Sequence, residues 1–232
     1  MADTGQLLLG SKSMLTNYAE IKKKVDAKIV ECGRKLDDVT LVAVSKTVGL
    51  DEVQDAIYQG ATDFGENRPE ELVRKSEAFP NVRWHFIGNI QSRQIKNIVP
   101  HACLIHSLDK LEHAQKIDKV ASEIGKVQKV LVEVNVSGEE SKAGLDSEEL
   151  PQFLEELKSF KNLEVCGLMT MAPIQDEEHA DLPNPETVFS KAHELVVEYG
   201  LRELSAGMTN DWADAIKLGS TYVRIGRAIF SK

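Results

Sequence analysis

The run Val39-Thr40-Leu41-Val42-Ala43-Val44-Ser45-Lys46 decides how the rest of the chain is read. It is apolar without alternation and rich in β-branched residues, which suits a strand buried on both faces of a parallel sheet. Lys46 closes it, so the pattern predicts an ammonium at the end of a buried strand. Burial disfavours the charged form of such a group. A neutral lysine amine is a nucleophile, and Schiff-base formation is one natural use for it.

On either side of this run, strand-like and helix-like segments alternate. Strand candidates fall at 39–46, 61–66, 82–88, 103–108, 129–136, 163–170, 203–208 and 222–230. Helix candidates fall at 50–59, 69–78, 92–98, 110–124, 147–159, 186–199 and 211–218. An extra helix from Ser13 to about Cys32 precedes them, with Leu15, Tyr18, Ile21, Val25 and Ile29 at helical spacing. Residues 1–12 read as a frayed tail and 13–232 as one domain. Eight strand–helix units predict a (β/α)₈ TIM barrel. An open doubly wound sheet is the runner-up, but Ser45-Lys46-Thr47-Val48 follows the first strand with no GxGxxG or Walker pattern.

Composition narrows the function classes. The formal net charge of -9 and the lack of a basic stripe argue against nucleic acid as a main partner. Lys22-Lys23-Lys24 is the one basic block, in a helical, solvated context. Three cysteines, Cys32, Cys103 and Cys166, form no CxxC pair and indicate neither a disulfide framework nor a zinc knuckle. With no signal peptide and no apolar stretch of spanning length, the expectation is a soluble, cytoplasmic protein with no membrane partner.

In a closed barrel the first strand lies beside the last, so Lys46 becomes a neighbour of Gly226 at the mouth. Barrels commonly bind phosphate on the loops after strands seven and eight. Here those loops carry Ser205-Ala206-Gly207-Met208-Thr209 and Val223-Arg224-Ile225-Gly226-Arg227. Ser205 and Thr209 offer hydroxyls, Gly207 and Gly226 allow close backbone approach, and Asn210-Asp211 is placed to cap the helix at 211–218. An amine on strand one and an anion site after strands seven and eight suit a phosphorylated aldehyde.

Several motifs also resemble a known family: Val44-Ser45-Lys46, Phe64-Gly65-Glu66-Asn67, Trp84-His85-Phe86-Ile87-Gly88, Gly167-Leu168-Met169-Thr170, Ser205 to Asp211, and Gly219-Ser220-Thr221 through Phe230. In this order, from about Val39 to Phe230, they resemble the pyridoxal phosphate homeostasis proteins (the YggS/PROSC family). The resemblance implies a single-domain barrel of the alanine-racemase fold type (fold type III among pyridoxal phosphate proteins). It implies pyridoxal 5'-phosphate held as an aldimine on Lys46, with Ser205, Gly207 and Thr209 and then Gly226 and Arg227 at the phosphate. Arg224 matches the arginine facing the pyridine nitrogen, and Asn67 and Met169 fall where they would line or touch the cofactor. The implied role is to buffer the cofactor or deliver it to apo-enzymes, as a monomer and without an established reaction. The chain departs from the family at Arg68-Pro69, after Gly88, and at Ser231, changes that leave the cofactor anchors themselves intact.

Other readings stand beside this one. Amino-acid racemisation with the same cofactor is the first rival, and a cofactor-free Schiff-base aldolase the second. The chain stops at Lys232, so the tyrosine-bearing C-terminal domain of alanine racemases is expected to be absent. Arg224 alone also suits a barrel-interior salt bridge to Glu133 or Glu66. His85 reads as a hydrogen-bonded core histidine, and His101 and His106 flank strand four without a third metal ligand at suitable spacing. Lys142 reads as a solvated loop lysine and as the best candidate for a second, transient cofactor lysine. The loop 172–185, with three prolines and an acidic cluster, reads as a surface loop or a lid.

Overall fold

The computed structural model describes residues 15–139, 143–176 and 180–231. The expected cap at Ser13, the tail at 1–12 and Lys142 lie outside these residues. The strands are β1 Thr40–Val44, β2 Asp63–Glu66, β3 Arg83–Phe86, β4 Leu104–Leu108, β5 Gln128–Asn135, β6 Leu145–Asp146, β7 Leu163–Met169, β8 Glu203–Ser205 and β9 Tyr222–Ile225. The helices are α1 Tyr18–Glu31, α2 Leu50–Tyr58, α3 Pro69–Ala78, α4 Ile95–Ile98, α5 Leu111–Glu123, α6 Leu150–Leu157, α7 Pro185–Glu198, α8 Trp212–Lys217 and α9 Arg227–Phe230.

Every strand pairing is parallel. The order β1-β2-β3-β4-β5-β7-β8-β9 returns to β1, with Thr40 opposite Tyr222 and Ala43 opposite Ile225. This is the closed eight-stranded barrel with intervening helices that the alternation predicts. The additional strand β6 pairs with the end of β5 through Leu145 and Asp146.

Side-chain alternation separates two environments. Leu41, Ala43, Phe64, Phe86, Val223 and Ile225 belong to the main apolar core, which includes the buried faces of the helices. In α1, Tyr18, Ile21, Val25 and Ile29 form that buried stripe. The alternate strand positions supply buried polar groups, among them Asp63, His85, His106, Glu133, Ser205 and Arg224. A hydrogen bond joins His106 on β4 to Ser205 on β8, two strands that do not pair, so it crosses the barrel interior.

Three boundaries differ from the sequence reading. β1 ends at Val44, and Lys46 lies in the following turn, exposed to solvent. The last strand ends at Ile225, and Arg227–Phe230 winds into α9 around the Gly226 carbonyl, which accepts from the amides of Ile229 and Phe230, both at 3.0 Å. Ala228-Ile229-Phe230 is apolar enough for either state, so composition did not place that break. The strand expected over 203–208 stops at Ser205, because Gly207 turns the chain with φ +98°.

Among the described residues, no helix is long and apolar enough to cross a membrane.

Candidate functional site

The C-terminal ends of β1, β8 and β9 bring the expected anchors together. Lys46 follows β1, and Gly226 follows β9, the strand paired with it. The two ends are in close contact: a Cβ on Gly226 would stand 3.1 Å from the Val44 carbonyl oxygen. The exposure of Lys46 corrects the expectation of a desolvated strand-end amine. An apolar run reports a buried strand but not the residue at which it ends. What remains of the argument is position, at the mouth and beside β9.

The turn carrying Lys46 is anchored from below. Ser45, fully buried, donates its hydroxyl to Glu66 Oε1 at 2.7 Å. Lys75, on α3 and also fully buried, donates to the same Glu66 oxygen at 2.6 Å and to the Ser45 carbonyl at 2.6 Å. Glu66 Oε2 has no hydrogen-bond partner among the described residues. Glu66 is therefore committed to Lys75 and does not pair with Arg224, as the sequence reading had allowed. Lys75 escaped that reading because its helix showed no sign that a lysine would face inward.

After β8, Gly207 is buried and Thr209 is half-buried. A Cβ on Gly207 would stand 2.6 Å from the Ala215 Cβ of α8. Positive φ and this contact leave glycine as the residue that fits. The Gly207 carbonyl accepts from the Arg224 amide at 2.9 Å, tying the β8 turn to β9. Asp211 does not cap α8 as expected; its carboxylate accepts from the Met208 amide at 2.7 Å and folds the turn on itself. Arg227 is exposed beside Gly226, and Asn67 is half-buried just past β2. Met169 is buried at the end of β7 in a small apolar cluster with Leu104, Leu131 and Cys166.

Ser205 is fully buried and faces the interior. Its oxygen accepts from Arg224 Nη1 at 2.5 Å and lies 2.8 Å from His106 Nδ1. Arg224 Nη2 also donates to the Thr170 carbonyl at 3.3 Å. Burial lowers the Arg224 pKa to about 10, against the opposing charges of Glu133 and Asp211. Burial likewise pushes Glu133 up to about 7, reinforced by Asp109 and opposed by Arg224. Glu133 thus acts on Arg224 as a charge within the barrel, with no ion pair between them among the described residues.

Deeper in, His85 Nε2 lies 2.9 Å from Asp63 Oδ1, and His85 Nδ1 lies 2.9 Å from His106 Nε2. His85 is the hydrogen-bonded core histidine expected. His106 lies within β4 and not at its flank. Asp63 also accepts from Arg83, at 2.8 Å from Nε and 2.5 Å from Nη2. Burial alone would raise the Asp63 pKa, but the bonds from His85 and Arg83 outweigh it and hold the carboxyl at about 2.

The donor set suits an anionic, phosphorylated aldehyde: an accessible amine at Lys46, a glycine turn with the Thr209 hydroxyl, exposed Arg227, and the buried guanidinium of Arg224. The family model described as alanine racemase, N-terminal domain, matches residues 17–232. A pyridoxal phosphate homeostasis protein of Synechocystis is 36% identical over 201 residues, 83% of this chain and 90% of that protein. A protein from Bifidobacterium adolescentis superposes with a TM-score of 0.81 at 33% identity, covering 92% of each chain. PipY of Synechococcus elongatus, solved with PLP bound, superposes with a TM-score of 0.76 at 29% identity, covering 89% of this chain and 100% of that one. A barrel with its amine and glycine turns on the closing strands, matched over nearly its whole length by these proteins, belongs to the alanine racemase N-terminal domain family and, within it, to the pyridoxal phosphate homeostasis proteins.

Proposed function

We propose that this protein holds pyridoxal 5'-phosphate on Lys46, keeps the reactive cofactor sequestered, and delivers it to apo-enzymes. The observation that carries the reading is the closure of β1 on β9, which sets Val44, two residues before Lys46, against Gly226. Pyridoxal phosphate supplies an aldehyde that an amine captures and a ring that draws electrons. Lys46 would supply the amine that holds that aldehyde. Ser205, Gly207, Thr209, Gly226 and Arg227 would take the phosphate, and Ser205 also joins that turn to Arg224. Arg224 would face the ring nitrogen; as a donor that stays charged, it would keep that nitrogen unprotonated and weaken the ring as an electron sink. Asn67 and Met169 border the ring. A site that binds the cofactor while restraining its electron demand suits storage better than turnover. The same reading makes the protein a cytoplasmic monomer.

The test is the visible spectrum of the purified protein loaded with pyridoxal phosphate. The expected result is a yellow band that borohydride bleaches, with the pyridoxyl adduct placed on Lys46 by mass spectrometry. Lys46→Ala should lose the band and keep its fold, because an exposed side chain contributes little to stability. An adduct found mainly elsewhere, at Lys142 for example, would move the site.

A further inference from the structure

Asp63, His85, His106 and Ser205 run in single file through the barrel interior and end at Arg224, linked by hydrogen-bond distances of 2.9, 2.9, 2.8 and 2.5 Å. All five are buried. We propose that this file positions the cofactor site: His85 and His106 set the direction of the Ser205 hydroxyl proton, and so decide whether Ser205 donates to a phosphate at the β8 turn. The inference rests on the cofactor reading above.

The direction follows from the valence of each group. Arginine only donates, so Ser205 Oγ accepts from Arg224. With protons on both nitrogens, His85 donates from Nε2 to Asp63 and from Nδ1 to His106 Nε2. His106 then carries its proton on Nδ1 and donates to Ser205 Oγ. Both protein bonds at Ser205 are accepted ones, and its own hydrogen is left for a ligand. When one proton leaves the file to solvent, His85 Nδ1 becomes an acceptor. His106 then donates from Nε2, its Nδ1 accepts, and the Ser205 hydrogen goes to that nitrogen. One protonation event deep in the barrel thereby adds or removes a donor at the mouth.

The groups around the file favour the first arrangement. His85 shares Asp63 Oδ1 of β2 with Arg83 of its own strand, and meets Cys103 and His106 on the β4 side and the Tyr222 ring of β9 at 5.7 Å. Burial alone would lower the His85 pKa, but the Asp63 bond outweighs it and raises it to about 9. Burial pushes His106 well below the ordinary histidine value, and the charges of His85 and Arg224 add to that. His106 therefore holds a single proton, and only its tautomer changes.

Two measurements test the proposal. Imidazole ¹⁵N NMR of the purified protein should show His85 doubly protonated and His106 on Nδ1 at about pH 7, with His106 switching to Nε2 as pH rises past about 9. Pyridoxine 5'-phosphate, which has no aldehyde, then reports the phosphate site without the chemistry of Lys46. Its affinity for wild type should fall about tenfold between about pH 7.5 and pH 10, the loss of one bond to a charged group. Ser205→Ala and His106→Gln should each remove that step. His106 found on Nε2 at neutral pH, or a wild-type step retained in Ser205→Ala, would overturn the proposal. Wild type that binds neither pyridoxine phosphate nor pyridoxal phosphate at any pH would instead overturn the cofactor reading, and the His106 tautomer separates the two failures.

Discussion

Lys75 Nζ, projecting from α3, donates a 2.6 Å hydrogen bond to the backbone carbonyl of Ser45, the residue immediately before Lys46. The same ammonium pairs with Glu66 at 2.6 Å, with both side chains fully buried. One lysine is thus enclosed and paired while the other stands in solvent. The enclosed one fixes where the exposed one leaves the barrel.

Lys75→Met should destabilise the fold by about 3–5 kcal/mol, because it leaves Glu66 as a buried charge without compensation. Combining it with Glu66→Gln should recover much of that loss, since both charges are then gone. Urea denaturation measures each variant. A loss in Lys75→Met below about 1 kcal/mol would show that Glu66 does not depend on this lysine.

Gly207→Ala should cost about 1–3 kcal/mol of stability through backbone strain. The position has φ +98°, and the new methyl would stand 2.6 Å from the Ala215 Cβ. Pyridoxal phosphate affinity should fall by about tenfold, while unphosphorylated pyridoxal, already weak, should change less. Fluorescence titration with both ligands provides the check. Equal weakening of the two would remove Gly207 from the phosphate turn.

Stability should depend on pH through the Asp63–His85 pair. Against burial, the Asp63 bond raises the His85 pKa from an ordinary 6.5 to about 9, so its contribution is full below about 6.5 and is lost as pH rises through about 9. Against burial, the bonds from His85 and Arg83 lower the Asp63 pKa from an ordinary 3.8 to about 2, so its contribution is full above about 3.8 and is lost as pH falls through about 2. These are two views of one interaction and count once. The urea midpoint should fall between about pH 6.5 and pH 9, and Asp63→Asn should flatten that limb. An alkaline limb unchanged in Asp63→Asn would assign the dependence to other groups.

Racemisation of alanine or serine should be slower than roughly 1 per second, below ordinary enzymatic rates. The reaction needs a proton removed from one face of the α-carbon and another delivered to the opposite face. On the proposed reading, Lys46 would serve one face. None of the four tyrosines is placed to serve the other. Tyr18 is buried in α1, Tyr58 ends α2, Tyr199 follows α7, and Tyr222 starts β9, at the end opposite the mouth. Proton exchange at the α-carbon, run beside cofactor transfer to an apo-enzyme, separates the roles. Turnover faster than that rate would favour the racemase.

The alternation of strands and helices was legible because it is local: Thr40–Val44 and the stripe Tyr18, Ile21, Val25 and Ile29 declare their periods within a few residues. The order of the motifs around Lys46, Gly207 and Gly226 was legible too, and closure of the barrel then made neighbours of the two ends. The exposure of Lys46 and the break at Gly226 were not, because an apolar run suits more than one conformation and does not mark its own end. Nor was the inward turn of Lys75, since a lysine on a short helix is buried only when the docking of that helix provides a carboxylate and a carbonyl to meet it. Asp63, His85, His106, Ser205 and Arg224 come from five strands far apart in sequence. Each alone reads as an ordinary polar residue in a strand. Sequence determined which strands form and what they carry. Tertiary structure decided which polar groups meet, because a proton's direction depends on the donors and acceptors that barrel closure brings within hydrogen-bond reach.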